Sequence, residues 1–309
     1  MDVPFIGPEA GARLDWLDLA CALEAGHALP RAEVDDTFLY RGADTLLSRA
    51  AWIDGLGALV KTATIFPGNA ARGMPSIGGA VSLFSDADGT LAAMLDFHLV
   101  TRWKTAGDSL LAARRLARPG SADILIVGAG ALARALREAY GAAFPRAAFH
   151  VWNRSPEGAQ AMAADYPNTR AAPDLEAAVR AADIVSTATM ATEPLIRGAW
   201  LRPGTHLDLV GAYRADMREA DDDAIRAGRL FVDARATVLG HIGEVQDPLD
   251  RGVISGGSVI ADFRDPGAFA RRDDAEITVF KNGGGAHLDL MTARWMLARA
   301  AAAGGPAGR

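Results

Sequence analysis

Residues 124–140 read ILIVGAGALARALREAY: an apolar run, two glycines one residue apart, then apolar residues at the three- and four-residue steps of a helix. Gly128-Ala129-Gly130-Ala131-Leu132-Ala133 has the G-x-G-x-x-A form. Its first glycine permits a tight turn, its second lets a pyrophosphate approach the backbone, and its small last residue lets helix pack on strand. A helix beginning there presents unbonded N–H groups and the positive end of its dipole, which suits an anion near Ala131 and Leu132. A glycine turn also arises for steric reasons alone, so the residues about twenty-five positions further on decide between the readings. There the chain reads HVWNRS, and Asn153, Arg154 and Ser155 stand where an adenosine ribose would lie. A site selecting NAD places Asp or Glu at that point, whereas a guanidinium and a hydroxyl suit a 2′-phosphate. The expected cofactor is NADPH, with NADH as the alternative. An ordinary surface arginine is the competing reading of Arg154.

Strands and helices must alternate around these residues to hold them, and from about residue 105 they do. ADILIVG, AAFHVWN, DIVSTAT, THLDLVG and RLFVDA read as strands, separated by alanine-rich helical segments such as 131–142 and 174–182. The fold class expected is a doubly wound α/β sheet joined to a second, α+β domain. In the first part of the chain, 14–29 reads as an amphipathic helix and 37–49 as a hairpin around Gly42-Ala43-Asp44. ALVKTATIF and AVSLFSDADGTLAAMLDF continue that sheet, with a turn at 86–89. After 240 the chain reads as loop until EITVFKNGGGAHLDLMTARWMLARA, a strand, a glycine turn and a closing helix. The tail AAAGGPAGR is expected to be disordered.

Composition narrows the function. The 309 residues are enough for about two domains, and half of them are apolar. With 32 basic against 38 acidic residues and no like-charge run longer than Asp221–Asp223, no polyanion-binding face is expected, hence no nucleic acid. Cys21 is the only cysteine, which excludes an intrachain disulfide and fits a reducing compartment; on an amphipathic helix, burial is expected of it rather than nucleophilic work. The N-terminus lacks the basic-then-apolar pattern of a signal peptide, and no stretch of eighteen apolar residues occurs. A soluble cytoplasmic protein with no membrane partner is the expectation. His98, His206, His241 and His287 form no pair at metal spacing, so no metal is expected.

VKTATIFPGNAARGMPS, LTRWKTAGDSLLAARRLARP, ILIVGAGALARAL, ADIVSTATMATEPLI, LRPGTHLDLVGAYRADMREADDDAI and ITVFKNGGGAHLDLMTARW resemble, in that order, the ornithine cyclodeaminase and mu-crystallin family. The resemblance spans nearly the whole chain. It implies a Rossmann-type NAD(P)-binding domain at 108–280 and a substrate and dimerisation domain from 1–107 and 281–309, hence a homodimer. The family's members act at the α-carbon of an amino or imino acid using a nicotinamide.

The resemblance also implies a site. The family lysine that meets the substrate is matched by Lys61, and the family threonine near the substrate by Ser76. Lys104 stands where the family usually has a carboxylate-binding arginine, so a bidentate fork is exchanged for a point charge. The family's early arginine has no clear match, since the acidic Val34-Asp35-Asp36 lies there; Arg41 and Arg49, across the hairpin, are the candidates to replace it. Ornithine cyclodeaminases carry an aspartate two residues after Gly211, where this chain has Tyr213. A phenol is no carboxylate base near neutral pH, so true cyclodeamination is disfavoured. Tyr213 is left to pack over the nicotinamide, to donate to substrate, or simply to pack. Cofactor contacts are implied for Gly128, Gly130, Ala131, Leu132, Asn153, Arg154 and Ser155, for Thr187, Ala188, Thr189 and Met190, and for Gly211 and Gly284. The expected activity is NAD(P)H-dependent reduction of a small α-imino acid, with Δ1-pyrroline-2-carboxylate giving proline as the leading reaction. Ornithine cyclodeaminase, alanine-dehydrogenase-type and mu-crystallin-like ligand-binding readings are the alternatives.

Overall fold

The structure is a computed structural model and describes residues 3–303. It divides into two units, one running to Lys104 and resuming at Gly285, the other being Thr105–Gly284.

The first unit is built on a six-stranded sheet of order β1-β6-β5-β4-β3-β2. Its elements are β1 (Phe5–Ile6), α1 (Trp16–His27), β2 (Glu33–Arg41), β3 (Asp44–Ile53), β4 (Gly57–Ile65), β5 (Ile77–Phe84) and β6 (Leu91–Asp96). The expected hairpins form. Gly42, at φ +60°, opens the two-residue turn between β2 and β3, a conformation that glycine adopts without strain. Along β4, Leu59, Lys61 and Ala63 alternate onto the buried face, so the pleat turns a lysine inward and forces it to find a counter-charge. Asp15 caps α1 by accepting from Asp18 N, and Leu19 and Leu23 on that helix are fully buried. Cys21, expected to be buried, is exposed: it falls outside the apolar stripe made by those leucines.

Helix α2 (Phe97–Leu116) follows, and the boundary between the units lies within it, at Lys104/Thr105 rather than at 107/108. The second unit contains β7 (Asp123–Val127), α3 (Ala131–Ala143), β8 (Ala148–Trp152), α4 (Pro156–Asp165), β9 (Thr169–Ala171), α5 (Leu175–Ala181) and β10 (Ile184–Thr187). It continues with β11 (His206–Leu209), α6 (Asp222–Ala227), β12 (Arg229–Val232), α7 (Arg235–Val238), α8 (Gly243–Asp250), β13 (Val259–Ala261) and β14 (Thr278–Lys281). All eight strands pair in parallel, in the order β13-β12-β14-β11-β10-β7-β8-β9. β7 lies inside the sheet, third from the β9 edge: the chain winds outward through β8 and β9, then resumes at β10 on the other side of β7, as a doubly wound sheet requires, and β14 returns between β11 and β12. The stretch after 240 is less irregular than expected, because α8 forms despite Pro248. Helix α9 (Ala286–Ala303) returns the chain to the first unit, packing on α1 and on β1, β3, β4 and β5. Residues 301–303 of the tail belong to α9; the remainder of the tail, 304–309, lies outside the described residues.

Candidate active site

In the first unit, Lys61 meets its counter-charge. Its Nζ donates to Asp289 Oδ1 at 2.8 Å and to Thr101 Oγ1 at 2.6 Å, and lies 4.7 Å from the centre of the Phe97 ring. Thr101 itself donates to the Phe97 carbonyl at 2.7 Å, so its oxygen is left to accept from the lysine. Phe97, Thr101 and Lys104 recur at steps of four and three and share one face of α2. Asp289 stands in the first turn of α9, where the helix dipole favours an anion. Arg49 is the cross-strand partner of Lys61, and its Nη1 lies 3.9 Å from Asp289 Oδ2. Burial opposes ionisation of Asp289, but the charges of Lys61, Lys104 and Arg49 hold its carboxyl below the ordinary aspartate range. The charges of Lys61, Lys104 and Arg49 thus converge on Asp289, and Asp36 pairs with Arg49 at 2.6 Å.

The two candidate arginines separate. Arg49 joins Lys61, held by the acidic segment that stands in place of the family's early arginine. Arg41 sits at the hairpin tip, exposed and paired with Asp44 at 3.0 Å. Lys104 is buried and within electrostatic reach of Asp289. Ser76 is not brought to Lys61. Its carbonyl accepts from Phe66 N at 2.7 Å, whereas Lys61 pairs with Val81, and the five-residue offset is about 16 Å along the strand. The hydroxyl beside Lys61 is that of Thr101.

In the second unit the glycine turn has the shape its sequence implies. Gly128 has φ +118°, and a Cβ there would lie 2.7 Å from the Ala188 carbonyl oxygen. A Cβ on Gly130, by contrast, would meet nothing within 4 Å, and α3 begins there with no side-chain cap on its first N–H groups. Free donors beside open space fit a pyrophosphate. Ser155 caps α4 by accepting from Gly158 N at 3.3 Å, and the Asn153 amide donates to the Ser155 carbonyl at 3.0 Å. Arg154 is exposed and makes no ion pair among the described residues. Of the segment leaving β10, Thr187 is buried, Ala188 and Thr189 are half-buried and Met190 is exposed. Gly211 follows β11, and Gly284, at φ +70°, donates its N–H to Asp233 at 2.8 Å. Tyr213 is 55% exposed, with the Arg214 guanidinium 5.4 Å over its ring, and so is no core residue.

Several buried polar groups carried no sequence signal. Asp208 accepts from Ser186 at 2.6 Å, Tyr140 at 2.8 Å and Ser109 at 3.1 Å. Burial pushes it up to about 6 against the pull of these hydroxyls. Asp289 and Thr101 were hidden in the same way: a polar residue in a helical stretch reads as solvated face. Lys61 itself was reached only through the family resemblance; the need of an inward lysine for a partner, which strand alternation implies, is the signal that could have led to them.

A parallel, doubly wound unit with an open glycine turn, in one chain with a buried cationic site on an antiparallel sheet, defines a two-unit Rossmann-type dinucleotide-binding protein. The chain belongs to the ornithine cyclodeaminase/mu-crystallin family, whose profile matches residues 54–304. It is 52% identical over 296 residues to a Delta(1)-pyrroline-2-carboxylate reductase of Paracoccus denitrificans, covering 93% of this chain and 94% of that one. It is 35% identical to the ketimine reductase mu-crystallin of Mus musculus over 76% of this chain and 73% of the other. Among solved structures it is similar to the Delta(1)-pyrroline-2-carboxylate reductase of Thermococcus litoralis in complex with NADH and L-proline. The TM-score is 0.90 at 25% identity, covering 98% of each chain.

Proposed function

We propose that the protein is a nicotinamide-dependent reductase of small cyclic α-imino acids, with Δ1-pyrroline-2-carboxylate reduced to proline as the leading reaction. The observation that carries this is the wiring of Lys61, in a chain half identical to a reductase of that substrate. An ammonium has three N–H donors, and two are committed to Asp289 and Thr101. One remains for a substrate. When Lys61 gives up that third proton, the neutral amine still has two N–H groups and keeps both bonds, so proton transfer to the imine nitrogen requires no rearrangement of the site. Lys104 and Arg49 supply the charge that holds the substrate carboxylate, and Asp289 keeps the cluster from repelling itself. A bound nicotinamide supplies the hydride that the imine carbon receives.

The cofactor would be held at Gly128, Gly130, Ala131 and Leu132, with Asn153, Arg154 and Ser155 at the adenosine ribose; Arg154 favours NADPH over NADH. Thr187, Ala188, Thr189, Met190, Gly211 and Gly284 supply the remaining contacts. A homodimer is supported by β2, a sheet-edge strand whose nine residues are all exposed and include Val34, Phe38, Leu39 and Tyr40. The lone cysteine supports a cytoplasmic setting, and no described helix is long and apolar enough to cross a membrane.

The test is oxidation of NADPH and of NADH with Δ1-pyrroline-2-carboxylate and with pyruvate plus ammonia, beside release of ammonia from ornithine with the oxidised cofactor, a reaction that returns the nicotinamide unchanged. Turnover of the cyclic imine well above the other two is expected. Equal or faster ornithine turnover would establish a cyclodeaminase, and binding without turnover a storage protein.

A further inference from the structure

One buried carboxylate of the second unit has no part in the chemistry above, yet it gathers five donors. Glu219, between β11 and α6, is fully buried. Its Oε2 accepts from Thr187 Oγ1 at 2.7 Å, Gly211 N at 2.6 Å and Ala212 N at 3.3 Å. Its Oε1 accepts from both the backbone N and the hydroxyl of Thr189, at 2.8 and 2.7 Å. The donors come from two segments, the one leaving β10 and the one leaving β11, which are neighbouring strands. The tie is close-fitting: a Cβ on Gly211 would overlap the Thr189 backbone and lie 2.6 Å from Glu219 Oε1. Glu219 is itself anchored, since Glu244 accepts from Glu219 N at 2.7 Å and Ala220 N at 3.0 Å, while Leu195 N and Ile196 N donate to the Glu219 carbonyl. Lys281, buried and donating to the Leu209 carbonyl at 2.8 Å, offsets the negative charge.

The geometry points to Glu219 as a positioning residue that sets the spacing of the two cofactor-facing segments, Thr187–Met190 and Gly211–Tyr213, and through them the affinity for the dinucleotide. This rests on the functional reading that places the cofactor against those segments. Of the side chains this size, only a carboxylate accepts on both oxygens. A glutamine of the same shape must turn its amide N–H groups toward Thr189 or toward Gly211, donor against donor. One segment is then released while the core around it keeps its volume.

Glu219→Gln is therefore expected to raise the dissociation constant for NADPH, followed by cofactor fluorescence without substrate, by about tenfold or more, as loss of a charge-assisted hydrogen bond implies. At saturating cofactor kcat should change much less, a split that general loosening of the fold would not give. Thr187→Val, which removes a fully buried hydroxyl donor to Glu219 and leaves the carboxylate, should weaken binding in the same direction but less. It serves as the deciding variant if Glu219→Gln does not fold. A folded Glu219→Gln that binds NADPH like the wild type would overturn the proposal, as would a Thr187→Val of unchanged affinity. Failure of the wild type to bind either dinucleotide would instead remove the functional reading on which the proposal stands.

Discussion

At the scale of single residues, Lys61 is a buried cation whose every neighbour limits what it can do. Thr101 and Asp289 accept from it, and Phe97 closes one side. Replacing it with alanine is expected to cost about 2–4 kcal/mol in kcat/KM, with dinucleotide affinity unchanged, because the lost charged hydrogen bond belongs to the substrate step alone. Steady-state kinetics beside a cofactor titration checks this, and retained turnover would refute the role. Asp289→Asn tests the partner differently. Without the carboxylate, Lys61 loses one of its two acceptors and the buried cations lose their counter-charge, so kcat/KM should fall by about tenfold, about 1.4 kcal/mol, with dinucleotide affinity unchanged. An unchanged kcat/KM in a folded variant would mean that Asp289 only fills space.

At the scale of elements, what was legible in the sequence was what backbone punctuation marks. Gly42 and the turn at 86–89 set off the hairpins, and Gly128 with Gly130 announced the βαβ unit, because glycine turns and apolar periods act locally. Helix α8, which contains Pro248, was not legible, and on α2 only Lys104 was reached, through the family resemblance, while Thr101 beside it and the buried Asp108 and Ser109 look like a solvated surface. Whether such groups are buried is settled by partners distant in sequence. Loop chemistry at the end of β8 carries a testable preference. Ser155 spends one lone pair on capping α4 and keeps its O–H, and Arg154 stands exposed beside it. Arg154→Ala should weaken NADPH by about 1.5–3 kcal/mol and NADH far less, measured at one salt concentration because an exposed charge is screened. Equal shifts for both cofactors would make Arg154 a plain surface residue.

At the scale of the whole molecule, buried carboxyls give stability a pH dependence with a definite sign. Glu244 is pushed up to about 7, first by burial and then by the charge of Glu219, with Lys281 opposing. Its neutral form is favoured by folding, so between its ordinary 4.5 and about 7 the folded protein holds the proton more often than the unfolded chain. The corresponding stability is complete below that window and is lost as pH rises through it. Asp208 adds a part between 3.8 and about 6, while Asp183 and Asp289, held low, titrate below both. His206, pushed down to about 3 first by burial, contributes with the opposite sign up to its ordinary 6.5 and offsets part of this. In urea unfolding Glu244→Gln, which cannot ionise, should therefore lose less stability from pH 5 to 8 than the wild type. A slope unchanged in the variant would place the titration elsewhere.

The bond between Lys61 and Asp289 joins positions 228 residues apart. On the ribosome, β4 emerges early with an inward lysine that is costly to bury alone, and its counter-charge arrives only with α9. The second unit, continuous in sequence, closes without waiting. Synthesis therefore brings the residues of the second unit together before the Lys61–Asp289 pair can form, and a chain shortened before α9 leaves that lysine without its carboxylate.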